Sequence, residues 1–249
     1  QDFTINKTYS LFGDNVNLRA KPSTAAKELT RLRIGFEVKI IAKTDVIFES
    51  GVTKAPWYEV EYKNIKGFIP GNFLARKALK NDTHSMFFNK KMSKEHGAQL
   101  AIRTIIGKEY SKYQEHSMQL YVSTVSVIVE GNYDLQNVVN VIKIQHHGDS
   151  CGAENGFTYF FLKENYELVY IAHLSVSGDV GYFESETFTF TTNERTGKQA
   201  ILFTKEEGEV IDDDTQWTES KTMTRYYEWN GTELVPEFSK KFYRNEKSN

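Results

Sequence analysis

The chain has 249 residues, which allows one large domain or two ordinary ones at roughly 150 residues per domain. Hydrophobic residues make up 39% and charged residues 26%, so the chain can bury a packed core and wholesale disorder is excluded. The formal charge of −2 gives no whole-protein nucleic-acid footprint, and no stretch approaches the roughly 18 consecutive apolar residues of a membrane span. Aromatic residues make up 14% of the chain, a richness that favours sheets over helical bundles.

Charge divides the sequence into two parts. Residues 1–80 contain 14 Lys/Arg and 8 Asp/Glu, a net charge of +6, whereas residues 81–249 carry a net charge of −8. The polar segment 75–83 between them has no clear period, which is typical of a connector. We therefore predict two domains, 1–80 and 81–249. The basic part is suited either to an outside anion, such as an acidic polymer or a peptide carboxylate, or to its acidic neighbour in the same chain.

The first 80 residues have the pattern of short strands joined by tight turns. Val16 and Leu18 alternate before a proline, and Phe36, Val38 and Ile40 lie on one face of a second alternating segment. A third segment, 57–62, places Tyr58, Val60 and Tyr62 on one side, and the turn 63–67 leads into a further strand that ends at Pro70-Gly71. These lengths predict a small barrel.

Several short motifs in this segment occur in the order and spacing of a known family. They are Asn17-Leu18-Arg19 with Pro22-Ser23, Gly35, Trp57-Tyr58-Glu59-Val60, Gly67-Phe68-Ile69 and Asn72-Phe73-Leu74. Over about residues 8–78 the chain resembles a bacterial SH3 domain. It departs from the family pattern in having Phe68 where a tryptophan is usual, and in a longer, more hydrophobic loop at Asp45–Pro56.

The resemblance implies an SH3-like barrel that binds a cell-wall peptide, or another extended ligand, outside the cytoplasm. Such barrels hold ligands in a shallow aromatic groove, where an extended peptide has little chain entropy left to lose. Each aromatic side chain in the segment can serve either the groove or the core. The candidate ligand-binding residues are Tyr9, Trp57, Tyr58, Phe68 and Phe73.

Residues 81–249 also have the pattern of strands, and they resemble no family we can name. Alternating or apolar segments occur at 118–129, 138–144, 157–162, 166–174, 187–191, 200–203 and 222–229. Residues 98–106 fit a helix and a strand almost equally, and the bracketing Gly97 and Gly107 favour a strand. Asn230-Gly231 is a strong hairpin signal. The prediction is an all-β protein: an SH3-like barrel, then a larger antiparallel domain built as a meander, sandwich or barrel.

One segment could support an enzyme. Bacterial SH3 domains often accompany cysteine-dependent cell-wall hydrolases, and Cys151 follows two histidines and an aspartate in the segment 145–152. A thiol needs a nearby base to ionise at neutral pH, and the candidate bases are His147 and His173. The segment lacks the D-C-S-G order of the related peptidases and leads into a strand instead of a helix. We therefore predict no catalytic residue, with a hydrolase based on Cys151 as the alternative.

The sequence contains two candidate metal sites, and neither has the ligand arrangement that a metal ion requires. His146 and His147 are adjacent on a predicted strand and so point to opposite faces, which prevents both from joining Asp149 and Cys151 around one ion. Asp212-Asp213-Asp214 lacks the alternating ligands of a calcium loop. No cofactor is predicted.

The sequence thus predicts a non-enzymatic, exported binding protein. The chain starts at Gln1 and not at Met, which we interpret as removal of a signal peptide, with a trimmed end as the alternative. The predicted location is extracytoplasmic: periplasmic, secreted or envelope-associated. The predicted partner is a cell-wall peptide or polymer, or an envelope protein, with no nucleic acid and no membrane span. A structural role in an envelope assembly is the remaining alternative.

Overall fold

A computed structural model describes residues 2–107, 112–120, 124–148, 155–179, 181–212 and 217–239. These residues form an almost entirely β structure, which confirms the predicted fold class. Their one helical element is a single 3-10 turn at Gly71–Phe73, and no helix among them is long and apolar enough to cross a membrane. The chain divides into two compact units, Gln1–Leu120 and Tyr121–Asn249.

The first unit contains two antiparallel sheets. A curled sheet of six strands has the spatial order β1-β4-β5-β6-β2-β3, and a second sheet has the order β10-β9-β8-β7. The strands are β1 Thr8–Ser10, β2 Val16–Arg19, β3 Glu28–Leu32, β4 Glu37–Ser50, β5 Thr53–Tyr62, β6 Ile65–Pro70, β7 Lys77–Lys80, β8 His84–Ser93, β9 Gly97–Ile106 and β10 Gln114–Gln119.

The curled sheet encloses a core because its strands alternate in polarity. The inner face carries Val38 and Ile40 from β4 and Tyr58 and Val60 from β5, each at most 1% exposed. These are the residues that the alternation assigned to one face. The core also contains buried residues from β2, β3 and β6, from the connections and from the segment before β1: Phe3, Leu11, Val16, Leu18, Leu32, Ile69 and Leu74.

The segment predicted as a long loop, Asp45–Pro56, is instead the outer half of the β4–β5 hairpin. Ile47 pairs with Pro56 and Phe48 with Ala55, after a register shift between Lys43 and Ile47. Gly51, with φ +59°, supplies the left-handed conformation at the tip. Backbone pairing therefore continues through the segment predicted from the sequence as a loop.

The second sheet of the first unit packs against the curled one. Its strand β9 settles the ambiguity at residues 98–106 in favour of a strand, paired to both β8 and β10. Phe87, Ala101 and Ile105 share a buried cluster with Phe12 and Ile34, which lie in connections between strands of the curled sheet. The predicted boundary at 80/81 therefore falls inside the first unit, in the connection between β7 and β8. The reason is that the apolar face of β8 and β9 is buried against residues of the barrel.

The second unit is an eight-stranded antiparallel meander in which every strand pairs with its neighbour in the chain. This places the predicted segments 138–144, 157–162, 187–191, 200–203 and 222–229 in strands. The strands are β11 Thr124–Glu130, β12 Val138–His147, β13 Asn155–Lys163, β14 Leu168–Asp179, β15 Tyr182–Thr192, β16 Gln199–Asp212, β17 Trp217–Trp229 and β18 Leu234–Val235.

The meander divides into two halves between β14 and β15. These strands pair only over Val176–Asp179 and Tyr182–Ser185, next to their connection. Where the pairing ends, the buried carboxylate of Glu186 accepts hydrogen bonds from the Ser175 amide at 2.9 Å and from its hydroxyl at 3.0 Å. The two halves share one aromatic-rich core, formed by Val141, Tyr159, Phe161, Ala172, Leu174, Phe188, Ile201, Phe203, Tyr227 and Trp229.

Candidate functional site

The outer face of β5 and β6 carries the aromatic residues that face away from the barrel core. Trp57 lies opposite Pro70 and Glu59 lies opposite Phe68, and directly opposed side chains of antiparallel strands share a face. Successive residues alternate between faces, so Trp57 points outward where its neighbour Tyr58 points into the core. Arg19 of β2 pairs with Phe68 and extends this outer face by one strand.

A cleft of about 220 Å³ opens on this face of the barrel. Its apolar lining consists of three aromatic side chains with Val16 and Pro70, and its polar lining comes mainly from the segment around β2. The aromatic residues are Phe48, Trp57 and Phe73, and the polar residues are Asp14, Asn15, Asn17, Arg19 and Thr24.

The three aromatic rings form the floor of the cleft. The Phe48 ring meets Trp57 edge to face, with ring centroids 5.9 Å apart, and lies 5.9 Å from the Phe73 ring. Trp57 is only 2% exposed because these rings cover it, whereas Phe48 and Phe73 are half-buried. The 3-10 turn positions Phe73: a Cβ on Gly71 would lie 2.7 Å from the Tyr58 ring, so only glycine lets the turn sit this close to the core.

An ion pair fixes one side of the rim. Arg33 donates to both carboxylate oxygens of Asp14, at 2.6 and 3.0 Å, and the Ile34 amide donates to the same group at 3.1 Å. Burial alone would raise the pKa of Asp14. The hydrogen bonds from Arg33 and Ile34 outweigh that effect, and the pKa of the carboxyl lies below its usual value. The negative charge of Asp14 is therefore paired with Arg33. The same hydrogen bonds connect the loop before β2 to Arg33 and Ile34.

The structure brings together two of the five predicted ligand-binding residues, Trp57 and Phe73. Phe68 is half-buried on the same face and adjoins the cleft without lining it. Tyr58 belongs to the core, where its hydroxyl accepts a hydrogen bond from the Phe3 amide at 3.3 Å. Tyr9 lies at a second cleft, formed with residues 75–78 and Lys80, and its ring packs on Phe3.

Sequence reasoning missed Phe48 and Arg19. Phe48 fell in the segment interpreted as a loop, although the glycine at position 51 between two apolar runs was a signal for a hairpin. Arg19 was recognised only as part of the Asn17-Leu18-Arg19 motif. Its position two residues after Asn17 on a strand already placed both side chains on one face.

The geometry of this segment agrees with its similarity to a known family. Residues 14–75 match the family model of the bacterial SH3 domain. The match covers about a quarter of the chain and confirms the resemblance carried by the motifs from Asn17 to Leu74. Neither the curated proteins nor the solved structures contain a match to this chain. All the residues that line the cleft lie within the matched segment.

The candidate catalytic histidines lie in the second unit, on opposite faces of the sheet. The His147 ring contacts the Ser126 hydroxyl at 3.1 Å, while His146 and His173 both contact the Thr158 hydroxyl at 2.8 Å. Cys151 and Asp149, like Asp213 and Asp214, lie outside the described residues. Within the described ranges, no three His, Cys, Asp or Glu side chains are grouped to hold a metal ion.

Proposed function

We propose that the protein is a non-enzymatic, extracytoplasmic binding protein whose bacterial SH3 domain holds an extended cell-wall peptide. The single observation that carries the proposal is the cleft in which Phe48, Trp57 and Phe73 form an aromatic floor beside the polar rim of β2. Bacterial SH3 domains are binding modules, often related to the cell wall, which supports a ligand of this class.

The size of the cleft favours an extended segment of peptide as the ligand over a small molecule that is fully enclosed. Pockets that enclose drug-sized ligands measure roughly 300–1,000 Å³, and this cleft measures about 220 Å³. An extended peptide laid across aromatic rings loses little further conformational entropy on binding and leaves its ends in solvent. Thr24, Asn15 and Asn17 add hydroxyl and amide groups to the lining, and groups of this kind can pair with a peptide backbone.

The non-enzymatic part of the proposal is supported by the sequence around Cys151, which lacks the D-C-S-G order of the related peptidases and leads into a strand instead of a helix. The two candidate bases lie on opposite faces of the sheet: the His173 ring contacts the Thr158 hydroxyl, as His146 does, and the His147 ring contacts Ser126. The two rings therefore cannot act together on one nucleophile.

A pulldown with purified peptidoglycan sacculi tests the proposal. We expect the full chain to be retained in about 1 M NaCl, where the screening length is about 3 Å and surface charge attraction is lost. We also expect no fall in turbidity of the sacculi, and identical behaviour of Cys151→Ser. Release of the protein by salt would contradict recognition in the cleft, and lysis abolished by Cys151→Ser would establish the hydrolase instead.

A further inference from the structure

The lining of the cleft contains two charged side chains, Asp14 and Arg19, in very different states. The Asp14 carboxylate is satisfied by Arg33 and by a backbone amide. The Arg19 guanidinium donates from Nη1 to the carbonyl oxygen of Ala26 at 2.7 Å, and no acidic group among the described residues lies within ion-pair distance of it. The cleft therefore offers one positive charge that no acid of the described chain neutralises.

The hydrogen bond to Ala26 also orients this guanidinium. Arginine carries five N–H donors in a rigid planar fork, so holding one nitrogen fixes the direction of the others at little further entropy cost. Asn17, which lies on the same face of β2, accepts a 3.2 Å hydrogen bond from Nε of Arg31. The donor fork at this end of the cleft is thus positioned before any ligand arrives.

The acids on the same face leave the fork unoccupied. Glu28 lies opposite Arg19 across β2 and β3, but its carboxylate pairs with Arg31 at 3.4 Å, and no ion pair joins it to Arg19 among the described residues. The next acid along the face, Glu59, is farther away. Glu59 pairs with Phe68 across β5 and β6, and Phe68 pairs with Arg19 across β6 and β2. Two strand spacings separate the backbones of Glu59 and Arg19 by about 9–10 Å, with the Phe68 side chain between them. The row Arg19, Phe68, Glu59 keeps the positive and negative charges apart instead of pairing them.

We propose that Arg19 binds a carboxylate of the ligand, so that the cleft selects an extended peptide carrying a carboxylate next to the segment on the aromatic floor. This inference rests on the proposed function and defines its ligand further. A guanidinium pairs with a carboxylate through two parallel hydrogen bonds, which gives direction as well as attraction. The carboxylate belongs either to a peptide C-terminus or to an acidic side chain.

The test combines a change in the protein with a change in the ligand. Sacculi are used unmodified or with their carboxyl groups converted to amides by carbodiimide and ammonia, and binding is measured for the wild type and Arg19→Gln. We expect amidation to weaken wild-type binding about tenfold, Arg19→Gln to weaken it about as much, and the two changes together to cost little more than either alone. Lys21→Gln, which removes an exposed positive charge outside the cleft lining, is the matched control and should change binding less than twofold.

A second variant protects the test against a folding defect, because Arg19 also holds Ala26. Arg19→Lys keeps the charge but loses the fork, and we expect it to melt like the wild type and still bind several-fold more weakly. Two soluble tetrapeptides then separate the sources of the carboxylate: one ends in a free carboxylate and contains Gln, the other contains Glu and ends in an amide. The one that competes with sacculi identifies the group.

The outcomes separate this inference from the proposed function. Wild-type protein that fails to bind unmodified sacculi removes the proposed function, and this inference with it. Binding that amidation leaves unchanged, or that amidation weakens equally in Arg19→Gln and in the wild type, overturns the role of Arg19 alone.

Discussion

Phe48 and Trp57 meet edge to face across the β4–β5 hairpin, with their ring centroids 5.9 Å apart and their planes at 86°. The contact depends on the register shift after Lys43, which places Phe48 opposite Ala55 and on the same face as Trp57. This hairpin therefore supplies two of the three rings in the floor of the cleft. A substitution in the outer half of the hairpin should therefore weaken binding while the barrel core stays folded.

Removing the Phe48 ring tests that relationship. We expect Phe48→Ala to weaken binding to sacculi about tenfold, since a half-buried aromatic side chain is lost from the floor, while the barrel stays folded. Ile47→Ala is the matched control, because Ile47 is the adjacent residue, is 50% exposed and points to the other face of the strand. Equal losses from the two variants would show that the cleft is not the binding surface.

The ion pair between Asp14 and Arg33 predicts a pH dependence of stability. Because the pKa of Asp14 is lowered in the folded protein, its contribution is complete above the unfolded value near 4 and is lost as the pH falls through the folded value. We expect Asp14→Ala to lower the free energy of unfolding by about 1 kcal/mol at pH 7 and by less as the pH is taken below about 4.

Urea denaturation at pH 7, 5 and 3 measures this difference. The control is Glu28→Ala, which removes an exposed ion pair with Arg31 at 3.4 Å and should leave the unfolding midpoint unchanged at each pH. A destabilisation by Asp14→Ala that stays constant down to the lowest pH would show that the charge of this carboxylate contributes nothing.

Alternation along single strands made much of the first unit predictable. Tyr58, Val60 and Ile40 were assigned to faces that prove to be buried, because strand periodicity depends only on local sequence. The same alternation already separated Trp57 from Tyr58, so it contained the distinction between groove and core. What it did not contain was the register of the β4–β5 hairpin, which brings Phe48 to Trp57 and depends on a bulge without a clear sequence signature.

The division of the chain into two units was harder to predict from the sequence than the individual strands were. The charge pattern predicted a boundary at 80/81. The distribution of charge, however, bears on solubility and on association with partners, and it does not determine which strands share a hydrophobic core. The structure instead groups β8 and β9 with the barrel, through the contacts of Phe87, Ala101 and Ile105 with Phe12 and Ile34. Such contacts join residues that lie between 53 and 93 positions apart in the sequence, and a pattern within one strand does not predict them.

The buried hydroxyl of Thr158 connects two imidazole rings in the second unit. It lies 2.8 Å from the His146 ring and 2.8 Å from the His173 ring, whose centroids are 5.0 Å apart. We expect Thr158→Val, which keeps the shape but removes the hydroxyl, to lower the free energy of unfolding by about 1–3 kcal/mol, because a buried ring nitrogen loses its partner. Thr187→Val, at an exposed position of β15, should have little effect in the same urea titration. Similar midpoints for the two variants would show that the shared hydroxyl is not stabilising.

The backbone of β14 lies directly against Gly156 of β13. Its φ of +127° belongs to the region that favours glycine, and a Cβ there would overlap the carbonyl oxygen of Leu174. We expect Gly156→Ala to cost about 3 kcal/mol or more, because the strained backbone and the overlap both have to be relieved by moving the strands apart. Gly131→Ala is the control in the same unit, since a Cβ at Gly131 meets no atom within 4 Å. A thermal melt in which both alanine variants match the wild type would show that β13 and β14 can accommodate a side chain at this position.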